Sequence, residues 1–265
     1  MEQRGRVDFL EAVGEHLVAD LIWLTLASIV VARGVFRTAA WPVFVTTVLR
    51  RGTTIRFSAS ALLRVQQGDD FVLVVTQAQG HAPAFWGPLG GVVKCKSSAL
   101  STLYAIDVET DWLTVCGEDM DRDLRVKMRG RTFWRFVRWF WSGKERESPS
   151  EAICRELKEE LEEVGLPLLA AQVDSLEFDL VKTRTTGLFR QDDILHYRLF
   201  YILTAAGPHA ARFTARLLDH TRPGKLETVP VADIERGAHK SVSVGGHSAF
   251  LLADGKYRHR TPSYQ

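Results

Sequence analysis

From Leu17 to Ala32 apolar side chains run almost unbroken (LVADLIWLTLASIVVA), with only Asp20, Thr25 and Ser28 polar. A full membrane span takes about 20 such residues, so this stretch is short. Residues 21–32 nevertheless lack the polar face that a surface helix of a soluble domain keeps. A second apolar stretch, Thr38 to Leu49 (TAAWPVFVTTVL), ends at Arg50-Arg51. Three readings compete: two short membrane helices, one membrane helix with an interfacial segment, or a buried soluble helix followed by a strand. The all-round apolarity favours the membrane readings, which make residues 1–51 an anchor of one or two short passes. Arg33, Arg37, Arg50 and Arg51 then lie beside the following domain, residues 52–265. Basic flanks face the cytoplasm, so the expected location is the cell inner membrane with that domain inside.

After Arg51 the period shortens to that of strands. Ile55–Val65 and Phe71–Thr76 are β-rich runs separated by the turn Gln66-Gln67-Gly68-Asp69-Asp70. Trp86-Gly87-Pro88-Leu89-Gly90-Gly91 is a cluster of breakers, where the backbone turns sharply or approaches something closely. Ile194–Leu203 is a long strand candidate, and His247–Leu252 reads as a short helix. Strands with few helices between them predict an α+β domain on a mixed sheet.

One helix is sharply marked. Ser148 can cap it, Pro149 suits its first position, and Glu151 completes a capping box. Gly165 and Pro167 mark its end. Ile153, Leu157, Leu161 and Val164 form the apolar stripe. Glu156, Glu159 and Glu160 stand at i, i+3 and i+4, so three carboxylates share a face. Their repulsion is relieved either by a hard cation taking oxygen ligands or by solvent, with Arg155 and Lys158 as counterions.

The order of these parts resembles the Nudix hydrolase motif, G-x5-E-x7-R-E-U-x-E-E-x-G-U with U a bulky aliphatic residue. Glu147, seven residues, then Arg155-Glu156-Leu157-Lys158-Glu159-Glu160 reproduce its core without a gap. Trp86 and Gly90-Gly91 resemble the family's Trp and Gly-Gly turn, with the proline displaced to Pro88. The resemblance covers roughly residues 54–252 and implies a Nudix-like mixed sheet sandwiched by helices. It also implies that Glu156, Glu159 and Glu160 bind Mg2+ (or Mn2+) together with a carbonyl of Gly90 or Gly91. Glu147 would pair with Arg155, and Glu156, Glu159 or the downstream Glu177 would activate water. The implied reaction is cleavage of a nucleoside diphosphate linked to another group. Two departures bear on activity: Glu162 stands where the motif has glycine, and 55 residues (92–146) replace the five before Glu147.

That insertion is basic and aromatic. Arg122–Lys144 holds eight cations and one acid, Asp123, interleaved with Phe133, Trp134, Phe136, Trp139, Phe140 and Trp141. On a helix, Arg131, Arg135 and Arg138 would oppose Phe133, Phe136, Val137 and Phe140. Such a helix can lie on an anionic membrane, face a nucleotide, or simply cover the sheet. Asp192-Asp193 is either a second acidic site or a turn before a strand.

Composition narrows the classes. Hydrophobic residues at 46% and charged residues at 25% are globular usage, and 34 Lys+Arg against 32 Asp+Glu predict no duplex nucleic-acid partner. Three cysteines, Cys95, Cys116 and Cys154, form no paired framework and read as free thiols. An apolar N-terminus before a Nudix-like domain with a long insertion resembles the membrane-associated Nudix effectors (CD-NTase-associated proteins) of bacterial CBASS anti-phage systems. That architecture implies a cyclic oligonucleotide ligand and a membrane partner; the sequence leaves the oligomeric state open, a homo-oligomer being one option. The alternatives are an ordinary Mg2+-dependent Nudix pyrophosphohydrolase and a Nudix module that only binds its ligand.

Overall fold

A computed structural model describes residues 47, 51–76, 84–110, 122–191 and 193–252. The apolar stretches at 17–32 and 38–49 (Thr47 excepted), Cys116 and Asp192 lie outside the described residues. Among the described residues no helix is long and apolar enough to cross a membrane.

The described residues open with β1 (Thr54–Leu63), β2 (Gln66–Gln67), β3 (Asp70–Thr76), β4 (Phe85–Pro88) and β5 (Gly90–Val92). The insertion supplies α1 (Ala99–Ala105), β6 (Val108–Thr110), β7 (Arg125–Arg129) and α2 (Phe133–Ser142). Then come the acidic helix α3 (Pro149–Glu163), α4 (Pro167–Ala170), and the hairpin β8 (Glu177–Gln191) and β9 (Ile194–Ala206). The chain continues through α5 (Ala210–Asp219), β10 (Leu226–Pro230), α6 (Val231–Arg236), β11 (Ala238–His239) and β12 (Val242–Val244). A 3-10 turn over Gly246–Leu251 takes the place expected for a short closing helix.

Two mixed sheets form, where the sequence predicts one. The first has the order β6-β7-β1-β9-β8, with β5 also on β1; the second is β10-β3-β4-β12-β11, with β2 on β3. β1 alternates strictly: Ile55, Phe57, Ala59 and Ala61 are buried toward one face, while Arg56, Ser58 and Ser60 are half-buried on the other. The buried set shares a core with Ile153, Leu157 and Leu161 of α3 and with Phe133, Phe136 and Phe140 of α2. α2 and α3 therefore cover the same face of the first sheet. The expected helical sandwich is corrected on the other face, where Leu62, Phe200 and Ile202 pack against Phe71, Leu73 and Val229 of the second sheet.

The insertion is not a separate body. Its strand β7 pairs with residues 54–58 of β1, and β5 pairs with residues 60–62 along the same edge. The helix within it resolves the three readings in part. Its Phe face is buried, with Phe57 edge-on to Phe136 at 4.9 Å and to Phe140 at 5.1 Å, so α2 does cover the sheet. Trp134 and Trp141 point outward at 48% and 57% exposure, and Trp134 Nε1 donates to Thr47 Oγ1 at 2.9 Å.

β8 escapes sequence patterning because it is an edge strand exposed along much of its length, with two register irregularities against β9. Asp193, at φ +61°, belongs to the turn of that hairpin, which favours the turn reading of this position over a second acidic site.

His247 lies between Phe85 and Phe200, and burial, then the nearby Arg198 charge, push its pKa down to about 4. Unfolded histidine titrates near 6.5, so between about pH 6.5 and 4 the unfolded chain binds the extra proton. Stability falls with acidification across that window, by on the order of 3 kcal/mol for this group. Urea unfolding of wild type against His247→Phe from pH 7 to 4 checks this, since the substitution should flatten that part of the profile.

Candidate functional site

The acidic helix begins as its sequence dictates. Ser148 accepts from Glu151 N, Glu151 accepts from Ser148 N, and Pro149 opens the helix. Glu162 simply extends it: α3 runs to Glu163 and ends on Gly165 at φ +83°. Three turns of apolar stripe pin the helix to β1 and β5, and its acidic face is thereby set against the glycine pair.

Gly90 is where the chain passes from the second sheet (β4) into the first (β5), at φ +123°. Its N–H donates to Glu160 Oε2 at 2.7 Å. A Cβ on Gly91 would lie 2.0 Å from Glu156 Oε2, so the missing side chain is the space the Glu156 carboxylate occupies. The breaker cluster predicted a close approach, and the thing approached is the acidic helix.

The long insertion leaves this junction intact. The family spacing puts five residues between the glycines and the first glutamate, and 55 less five leaves 50 extra residues, 97–146. The two ends of that excursion run side by side. Glu147 N donates to Lys94 O at 2.9 Å, Lys94 N donates to Glu147 Oε2 at 2.8 Å, and Lys96 N donates to Glu145 O at 2.8 Å. Glu147 therefore stands beside the glycine strand as though the insertion were absent. Loop-closure entropy grows only logarithmically with length, so such an excursion costs little once its ends are clamped.

Arg155 is the hub. Its Nε and Nη2 grip Glu147 at 2.9 and 3.0 Å, a two-point fork, and Nη2 also donates to Val92 O at 2.9 Å. Nη1 reaches Glu156 at 2.6 Å and Glu159 at 3.5 Å. One guanidinium thus ties loop, strand and helix together. Hydrogen bonds and ion pairs to these glutamates hold the guanidinium in its charged form despite partial burial. The carboxylates are short of cation: burial pushes Glu160 well above the usual carboxylate range and raises Glu156 despite the Arg155 contact.

The predicted residues Glu147, Arg155, Glu156, Glu160, Gly90 and Gly91 are therefore in one place. Glu159 is more exposed, its side chain at 52%, and faces a groove of about 760 Å³ shared with Arg155, Cys154, Lys158, Glu177 and Phe178. Glu177, the downstream candidate, lines the same groove. Sequence reasoning missed Asp123. Insertion residues 122–124 pair with 93–95, which leaves Asp123 5% exposed and 3.4 Å from Arg125. Burial, with Glu156 repulsion adding to it and Arg125 opposing it, pushes its pKa up to about 6. Its only trace in sequence was being the lone acid in a basic run.

A family model described as the SMODS-associated NUDIX domain matches residues 54–252. The chain belongs to this family. It is thus a Nudix superfamily member linked to CD-NTase systems, and its mixed α+β architecture fits a Nudix-like fold. No curated protein and no solved structure matches the chain.

The SMODS-associated NUDIX site is rich in oxygen donors suited to a hard divalent ion. Among the described residues, however, no three His, Cys, Asp or Glu side chains stand together as a ligand set. Arg155 occupies Glu156 and the Gly90 amide occupies Glu160.

Proposed function

We propose that this SMODS-associated NUDIX domain is the nucleotide-responsive module of a CBASS-type effector that retains cleavage of pyrophosphate bonds. Residues 1–51 tether it to the inner membrane with the domain in the cytoplasm. The observation that carries the catalytic part is the Arg155 fork, which rebuilds the glutamate, arginine and Gly-Gly constellation across a 50-residue excursion.

The donor chemistry fits Mg2+ (or Mn2+): Glu156, Glu159 and Glu160 with a carbonyl of Gly90 or Gly91 would hold it. When bound, the ion neutralises charge on the pyrophosphate oxygens. The chain's own residues do the rest. Arg155 and Glu147 fix the helix start against β5, so that Glu156 sits against Gly91 and Glu159 faces the groove. Glu159 or Glu177 takes the proton of the attacking water as its oxygen bonds to phosphorus, and the bond to the bridging oxygen breaks.

A second reading has its own observation. The short Arg155–Glu156 contact and the Gly90–Glu160 bond describe carboxylates already engaged within the protein, as suits a domain that binds its nucleotide without cleaving it. Full-length protein in detergent with Mg2+, given dinucleotides, nucleoside diphosphate conjugates and cyclic oligonucleotides, separates the two. Catalysis predicts turnover that chelation abolishes and that Glu159→Gln/Glu160→Gln lowers by about 100-fold or more. Binding of a cyclic oligonucleotide with no turnover by wild type establishes the second reading.

A further inference from the structure

Leu176 lines the groove beside Glu159 and also a second cavity, of about 310 Å³. One wall of that cavity is α5 and the residue before it. His209, Arg212 and Arg216 follow there at i, i+3 and i+7 and so share a face. The other wall is a 3-10 turn over Val173–Ser175, which contributes Ser175 and, just before it, Gln172. Phe213, buried at 2% exposure, completes the lining. No lining residue is acidic.

The positive charge here is not neutralised from within. Arg216 is positioned: its Nη1 donates to Gln172 Oε1 at 3.2 Å, and Gln172 Nε2 donates to Leu168 O at 2.8 Å. The partner is a neutral amide, so the guanidinium is oriented while keeping its full charge. Among the described residues Arg212 and His209 carry no hydrogen bond or ion pair. His209 stands at the N-cap of α5, yet its imidazole does not cap the helix. The first turn of α5 holds no acid, so the positive pole of the helix adds to the same end. The acids nearest in sequence are directed elsewhere. Asp174 pairs with Lys158, and Glu177 lines the groove across Leu176. Asp219, one turn beyond Arg216, is outside the lining.

Two guanidiniums, an imidazole and a hydroxyl around a cavity without carboxylates suit a compact dianion with several terminal oxygens. A phosphate monoester carries that charge near neutral pH, and its oxygens match the guanidinium fork. The cavity is larger than a phosphate alone and leaves room for a sugar that bears it. We infer that this cavity binds a phosphate monoester, with Arg212 and Arg216 as its principal contacts. Free phosphate and a nucleotide conjugate both offer that group. Leu176 is extended (φ −91°, ψ 147°), so Ser175 and Glu177 flank it about 7 Å apart. A conjugate lying in the groove can therefore reach across Leu176 with a further phosphate. That source rests on the nucleotide reading above; the cavity and its charge do not.

The test uses the full-length protein in detergent with EDTA, so that no metal-dependent turnover intervenes. Inorganic phosphate is titrated at constant ionic strength and followed by phosphorus NMR line broadening. Arg212→Gln should weaken its binding by about 10-fold, one charge-assisted contact being lost. Arg212→Gln/Arg216→Gln should abolish it. Arg212 is exposed, so the single substitution should leave the thermal midpoint unchanged. Arg212→Lys keeps the charge without the planar fork and should recover part of the affinity, which a merely structural role would not do. Calorimetry with ADP-ribose and ADP-ribose 2′-phosphate, which differ by one phosphate monoester, identifies the source. A preference of about 10-fold for the 2′-phosphate, lost in Arg212→Gln, assigns the cavity to a phosphate on the nucleotide. Equal affinities beside Arg212-dependent binding of inorganic phosphate assign it to free phosphate. No broadening by wild type together with equal affinities, or binding that survives the Gln pair, would overturn the inference. Turnover with Mg2+ restored is scored separately, so loss of catalysis and loss of this site are told apart.

Discussion

Alanine at Gly90 is expected to destabilise the fold by about 3 kcal/mol or more, lowering the thermal midpoint by about 6–12 °C. Its backbone sits at φ +123°, which L side chains rarely adopt. The added Cβ would lie 2.2 Å from Ala61 O and 2.9 Å from Ile153 Cδ1. The first is backbone of the central strand and the second a fully buried core residue, so neither can move aside cheaply. Gly68, in the hairpin turn at φ +59° with nothing within 4 Å of its Cβ position, is the control. There Ala carries only the conformational penalty of about 1 kcal/mol. Gly91→Ala should behave differently again, because the three atoms nearest its Cβ all belong to the Glu156 carboxylate, the far end of a side chain. It should fold with modest loss while displacing Glu156. Thermal unfolding of the three variants checks the order Gly90, Gly91, Gly68 from most to least costly.

Arg155→Ala should cost about 3–5 kcal/mol and remove any turnover, because it strands Glu147 and Glu156 as uncompensated, mostly buried charges. The side chains of Arg155, Glu147 and Glu156 are 21%, 20% and 17% exposed, too dry for solvent to replace the guanidinium fully. Arg155→Lys keeps the charge but not the planar fork that spans Glu147, Val92 O and Glu156, and should recover less than half of the loss. A double-mutant cycle of Arg155→Ala with Glu147→Ala, followed by urea unfolding, measures the coupling. A coupling near zero would mean the fork does not hold the junction. Turnover of the same variants then separates loss of position from loss of fold.

The sequence by itself determined the local parts. The capping box, the apolar stripe and the closing glycine specify α3 because each acts within a few residues of chain, where propensity and hydrogen bonding to the backbone decide. The alternation in β1 and the Gly68 hairpin were legible for the same reason. The glutamates and the arginine were legible because helical spacing puts them on one face whatever the helix packs against.

Tertiary structure decided everything that depended on partners distant in sequence. That Glu147 returns beside Lys94 after 50 residues rests on a ladder between the two ends of the excursion, which periodicity does not record. Asp123 comes to lie buried beside Arg125 and opposite Lys94 because the two ends of the excursion pair in one register. β8 carried no alternation, since an edge strand exposed along its length has no single buried face to write one. The second sheet appeared where helices were expected because an apolar strand face can be buried equally well by either, and only the assembled core selects which.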